Sequence, residues 1–281
     1  YLAPYFSLGL IFFVGEVIIS ALQFAAGALI LVMSGDYNEV SFFGLAYQGC
    51  TLVAVAFFQF TMAFAPFLLQ LLSRRETSSF HWWVEQLLKW LGVSGVLSFF
   101  GALFLADTIL PLLIGQAFRT VTNNLLIMSI SLPFLGLVSM GSVLVMIRDR
   151  PGLALEAAAL RLAVFLILGV PLVGWWGSLG GSLAFVLAAL AQCGHYLIRL
   201  RGLLTFSVRP WFLTLGLGCL FVPLYWLKSS WYVNLALGGA AMAGYAGTLL
   251  FLGLISFGEL ALIWRALTER GAPLAQTSGA T

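Results

Sequence analysis

Between Arg148 and Arg201 the chain reads RDRPGLALEAAALRLAVFLILGVPLVGWWGSLGGSLAFVLAALAQCGHYLIRLR: two long apolar runs, basic residues at both outer ends, and an uncharged glycine-rich turn from Pro171 to Gly181 between them. Each run is roughly 20 residues, about the length an α-helix rising 1.5 Å per residue needs to cross a hydrocarbon core of roughly 30 Å. No water solvates the backbone there, so only a helix or a closed barrel satisfies its polar groups, and no alternation of period two is present. The stretch therefore predicts a helical hairpin that crosses a bilayer twice, with its basic ends on one face and its turn on the other.

The rest of the chain repeats this pattern. Hydrophobic residues make up 62% and charged residues only 8%, where a soluble domain carries about 25% charge. The fold class is all-α, a polytopic membrane helix bundle of about eight transmembrane helices. Expected spans are Pro4 to Met33, Val40 to Leu72, Leu87 to Leu113, Asn123 to Ile147, Gly152 to Leu172, Leu179 to Ile198, Trp211 to Leu227 and Val233 to Ile255. Of the 13 basic residues, only Arg119 and Lys228 fall toward the side that also holds Asp36, Glu39 and Asp107. The positive-inside rule then places both termini in the cytoplasm of a multi-pass protein in the inner or plasma membrane.

After Ile255, ISFGELALIWRALTERG mixes charges with apolar residues and reads as a helix end or a short interfacial amphipathic helix. The small, polar tail from Ala272 to Thr281 is expected to be disordered. The opening Tyr1-Leu2-Ala3-Pro4 has no initiator Met and no visible signal peptide, so a piece of a longer protein is expected.

Several functions are disfavoured. The net charge of +3 comes from short clusters between apolar runs, which mark cytoplasmic loops rather than a nucleic-acid surface. Cys50, Cys193 and Cys219 lie inside apolar runs without metal-ligand spacing and read as small hydrophobes, so no metal or other cofactor is expected. GxSxG, Walker A and HExxH are all missing, and no enzyme activity is expected.

Polar residues inside the spans are the candidate site. A charged group at mid-membrane costs about 2.5 to 3.5 kcal/mol on insertion scales, so it normally faces a partner or a wet cavity. Glu16 falls near the middle of the first span, and helical steps of four and three place Ser20, Gln23 and Gly27 on its face. Glu16 reads as a cavity or proton site, or as a buried structural acid. Gln48, Gln59 and Gln70 recur every eleven residues, about three helical turns, so their amides align. That stripe either lines a cavity or makes interhelical hydrogen bonds, which are worth about 0.6 kcal/mol each.

Glu156 and Arg161 on the fifth span do not stack as an i,i+4 pair. Arg161 either snorkels to the headgroups or projects into a cavity as an anion-binding group. Gln192, His195 and Arg199 share a face of the sixth span, where His195 reads as an interfacial polar residue. Arg119 either receives an anionic head group or pairs with Asp107. Trp82, Trp83, Trp211, Trp231 and Tyr232 at span ends suit an aromatic belt.

Four stretches carry a family resemblance. Val40 to Ala46 (VSFFGLA) stands where polysaccharide-lipid flippases often have V-G-x-Y-x-x-A, with Ser41 for Gly and Phe43 for Tyr. Pro66 in AFAPFLLQLLSR, the run ILPLLIGQAF from Ile109 to Phe118, and Pro171 with GSLGG from Gly177 to Gly181 are also similar to that family's patterns. The chain thus resembles the second half of the O-antigen and exopolysaccharide translocases of the multidrug/oligosaccharidyl-lipid/polysaccharide exporter superfamily.

The resemblance implies a six-helix C-terminal lobe over 1–205, two additional transmembrane helices over 206–258, a cytoplasmic tail over 259–281, and a first lobe missing from this chain. It further implies ATP-independent flipping of a polyprenyl-pyrophosphate-linked oligosaccharide from the cytoplasmic to the outer leaflet by alternating access, for cell-surface polysaccharide assembly. Its partners would be that lipid-linked glycan, the bilayer and the missing lobe. Within that expectation the Gln and Glu stripes supply the sugar surface, Arg161 or Arg119 the cation, and Glu16 coupling to a proton or sodium gradient. The rival readings are a cation-coupled multidrug antiporter of the same superfamily, a polytopic polysaccharide polymerase or ligase, and a non-transporting scaffold.

Overall fold

The computed structural model describes residues 3–115, 119–201, 208–256 and 258. The helices are α1 (Ala3–Ser34), α2 (Tyr37–Ser73), α3 (Thr77–Ile114), α4 (Arg119–Ser129), α5 (Leu132–Ile147), α6 (Pro151–Arg201), α7 (Arg209–Cys219) and α8 (Trp231–Phe251), with a 3-10 segment at Val222–Leu227. No strand occurs among the described residues. The expected amphipathic and disordered tail from Glu259 to Thr281 lies outside them.

Helix α6 is the expected hairpin. Arg199 and Glu156 are 43 positions apart yet bonded at 3.2 Å, whereas a straight helix would separate them by about 65 Å. The reversal is tighter than the glycine-rich stretch suggested, because Pro171 stays inside the first arm and the break falls at Gly177, with φ 57° and ψ −134°. A side chain disfavours that conformation.

Six helices are long and apolar enough to span a membrane, and α4 with α5, bent by 51°, can form a further span. Since α6 folds back and crosses twice, the crossings reach the expected eight. Three boundaries differ from expectation. The span Asn123 to Ile147 is broken at Ile130 and Ser131, because Pro133 has no N–H to give the carbonyl of Ser129. Gly95 on α3 admits the bend, since a Cβ there would run into the Pro133 backbone. Helix α3 begins at Thr77 rather than Leu87, and its early turns bury Phe80, Trp83 and Val84. Helix α7 stops at Cys219 and hands over to the 3-10 turn that carries Pro223.

Three apolar clusters hold the bundle. One joins Leu68, Phe80, Leu88, Leu144, Tyr196 and Trp211; a second joins Ala26, Ile30, Phe43, Phe165 and Ala184. The third fixes the last two helices to α3 through Phe100, Phe104, Ala241, Tyr245 and Leu249. Lipid is as apolar as these side chains, so close packing rather than water exclusion drives association. Small residues serve it: Ala26 on α1 and Ala184 and Ala188 on α6 are fully buried.

Candidate functional site

Helix α2 has two unlike faces. Phe43, Ala46, Tyr47, Cys50, Phe57, Thr61, Phe64 and Leu68 are buried in the bundle. Gln48, Gln59 and Gln70 are exposed, and at 100° per residue they lie on the opposite side of the helix from that core face. Their amides form no hydrogen bond with any described residue, so they join no helices among the described residues. Leu52 and Val55, 74% and 48% exposed, sit between them. The outward face thus alternates amides with aliphatic groups.

On α1 the core face is Leu22, Ala26 and Ile30. Ser20 is exposed and Gln23 half-buried along its flank. The side chains of Glu16 and Arg119, both expected at the site, lie outside the described residues.

The polar residues of α6 tie its two arms together. Arg199 reaches the Glu156 carboxylate at 3.2 Å, and His195 Nε2 stands 3.7 Å from the same oxygen. One turn further into the membrane, an Arg161 Nη1 donates to Gln192 Oε1 at 3.2 Å. The Arg161 guanidinium stacks 4.8 Å from the Phe185 ring, which meets Tyr47 edge-on at 5.5 Å. Arg161 therefore sits on the inner side of α2, and the structure does not bring it together with Gln48 and Gln59. Its buried Nε has no acceptor among the described residues.

Two polar clusters escaped the sequence reading. At the end of the bundle opposite the basic turns, Ser178 N–H donates to Glu39 Oε2 at 2.8 Å. The Asn124 amide donates to Ser178 Oγ at 3.1 Å and accepts from Ser182 Oγ at 2.7 Å, all three residues being buried. This node binds α2, α4 and the second arm of α6. At the same end Lys228 Nζ reaches Asp107 Oδ2 at 2.5 Å and the Leu103 carbonyl at 2.8 Å. Asp107 is thus paired with Lys228. The sequence signals were small polar residues in otherwise apolar spans for the first cluster, and for the second the placing of Lys228 and Asp107 on the same side of the membrane.

This architecture, eight helical crossings with one amide-bearing face turned away from the core, is that of a polytopic membrane bundle. The solved structure titled "Lipid II flippase MurJ, inward closed conformation" is similar to it, with a TM-score of 0.69 and 16% identity over 91% of this chain and 55% of that one. The chain therefore spans about half the length of that protein, and at this identity the likeness is one of fold. No protein-family profile and no curated protein matches the sequence.

Proposed function

We propose that the chain forms one lobe of a flippase that carries a lipid-linked oligosaccharide from the cytoplasmic to the outer leaflet by alternating access. The observation that carries this reading is the outward face of α2. An amide left in hydrocarbon without a partner costs about 2 to 7 kcal/mol depending on the reference state, so three aligned glutamines on a spanning helix call for a wet cavity or a facing lobe. The aliphatic groups between them suit a substrate that is part glycan and part lipid. The fold likeness to a lipid II flippase supports the same class.

In this reading the basic turns are cytoplasmic. Residues 1–205 form the lobe, 206–258 add two helices, and a second lobe lies across the cavity. Glu16 remains the proposed coupling group for a proton or sodium gradient. The site cation for a pyrophosphate is not assigned to Arg161, whose guanidinium is engaged between the arms of α6.

The test is complementation. The chain, in its full reading frame, is expressed in a bacterium lacking its own surface-glycan flippase, as wild type, as Gln48→Leu/Gln59→Leu and as Glu16→Gln, with membrane abundance measured for each. Surface glycan restored by the wild type and lost with the double variant at equal abundance supports the reading. A wild type that restores no glycan and exports cationic dyes makes the protein an antiporter instead.

A further inference from the structure

At the end of the bundle that carries the Glu39 node, an open cavity of about 380 Å³ is lined by Asp107, Thr120, Asn123 and Tyr225. It lies among the end of α3, the start of α4 and the 3-10 turn before α8. That volume far exceeds the roughly 30 Å³ one liquid water occupies and falls in the range of about 300 to 1,000 Å³ typical of small-molecule sites.

The chemistry of the lining narrows the occupant. Asp107 is neutralised by Lys228 at 2.5 Å, and the same ammonium covers the Tyr225 ring at 4.5 Å from its centroid. The described part of the wall is therefore close to neutral, which suits an uncharged ligand. No group of three or more metal-ligating side chains occurs among the described residues. The Thr120 hydroxyl, the Asn123 amide and the Tyr225 hydroxyl form no hydrogen bond with any described residue. Asp107 keeps one carboxylate oxygen beyond the one that Lys228 holds. These groups supply both donors and acceptors. A neutral ligand with many adjacent hydroxyls matches them; an apolar one would leave them unmet.

We propose that this cavity is a saccharide-binding vestibule, separate from the amide face of α2, in which Asp107, Thr120, Asn123 and Tyr225 hold the hydroxyls of a neutral sugar. The source of the ligand rests on the flippase reading, in which this end faces outward and meets the glycan as it leaves; the binding itself does not.

The experiment uses the full chain in lipid nanodiscs and saturation-transfer NMR with methyl glycosides of a hexose and of an N-acetylhexosamine. Wild type is compared with Asn123→Ala, Thr120→Val and Tyr225→Phe, with melting temperature recorded for each. Saturable transfer to at least one glycoside, weakened tenfold or more by Asn123→Ala and by one other substitution at unchanged melting temperature, supports the vestibule. A disaccharide carrying a short prenyl-phosphoryl tail, compared with the free disaccharide, separates a membrane-delivered ligand from a soluble one. No saturable transfer in the wild type, equal binding in all variants, or displacement of the glycoside by inorganic phosphate overturns the proposal. Glycoside binding without complementation would leave the vestibule standing while the flippase reading fell, and complementation without binding would do the reverse.

Discussion

The carboxylate of Glu39, in the first turn of α2, accepts the backbone N–H of Ser178, the residue that opens the second arm of α6. One helix thereby caps another across 139 positions of sequence. A helix start has N–H groups without intrahelical partners and a partial positive charge, so a carboxylate is the fitting acceptor. Glu39→Ala is expected to lower stability by about 1 to 2 kcal/mol, a typical cap loss, and Glu39→Gln by less. Thermal unfolding of the detergent-solubilised protein measures both; equal melting of all three proteins would refute the cap.

Gly177 faces that same carboxylate. Its φ of 57° disfavours a side chain, and a Cβ there would stand 3.1 Å from Glu39 Oε2. Gly177→Ala is therefore expected to cost about 1 to 3 kcal/mol through backbone strain. Part of that loss should vanish in a Glu39→Ala background, since the crowding partner is gone; full additivity would show that only the backbone angle matters.

Asn124 is fully buried between two serine hydroxyls. Asn124→Leu removes a donor and an acceptor at once: Ser178 Oγ loses its donor, while Ser182 Oγ keeps the Ser178 carbonyl at 3.1 Å, for an expected loss of about 1 to 3 kcal/mol. Asn124→Asp keeps the acceptor for Ser182 and, when protonated, still offers one O–H donor to Ser178. Melting in the order wild type, Asp, Leu, from highest to lowest, is the outcome that fits the observed bonds.

Gln59 is expected to be wet. In a protein with Cys50, Cys193 and Cys219 replaced, Gln59→Cys should react with a hydrophilic maleimide in intact membranes. Leu235→Cys, on the exposed apolar face of α8, should stay unmodified under the same conditions. Matching low reactivity at both sites would place the α2 face against lipid or protein and remove the cavity.

Glu156 and Arg199 offer a contrast. Their side chains are 51% and 54% exposed, so solvent screens the pair, and Glu156→Gln should shift stability by less than about 1 kcal/mol. Arg161→Ala, which strips the Gln192 bond and the Phe185 stack, should lower membrane abundance markedly more. If Glu156→Gln proved the more damaging of the two, the inner tie would not be the one that holds the hairpin.

What the sequence disclosed follows from what spacing can encode. The α6 hairpin was legible because Arg148, Arg199 and a charge-free turn announce two crossings. The α2 stripe was legible because a period of eleven fits the helix. Spacing also placed Gln192, His195 and Arg199 on one face, and that face meets the first arm. Pairings between distant segments were not legible: Asp107 bonds Lys228, 121 positions away, and Asn124 finds Ser178 and Ser182 only because α4 and α6 pack together. The start of α3 was set too late because Thr77 to Gln86 mixes polar and apolar residues, and hydropathy does not separate an interfacial helical turn from a loop.

The one-residue reversal at Gly177 has a consequence for how the chain is made. Arg161 would enter the bilayer at an insertion cost of about 2.5 to 3.5 kcal/mol if the first arm were inserted alone. A turn this short gives the first arm no slack in which to settle before the second arm follows. The two arms are therefore expected to leave the translocon together, Arg161 already facing Gln192. Nascent chains truncated before Gln192 should then integrate the first arm poorly. On this account Gln192, 31 residues downstream, acts as a chaperone in cis for the arginine synthesised before it.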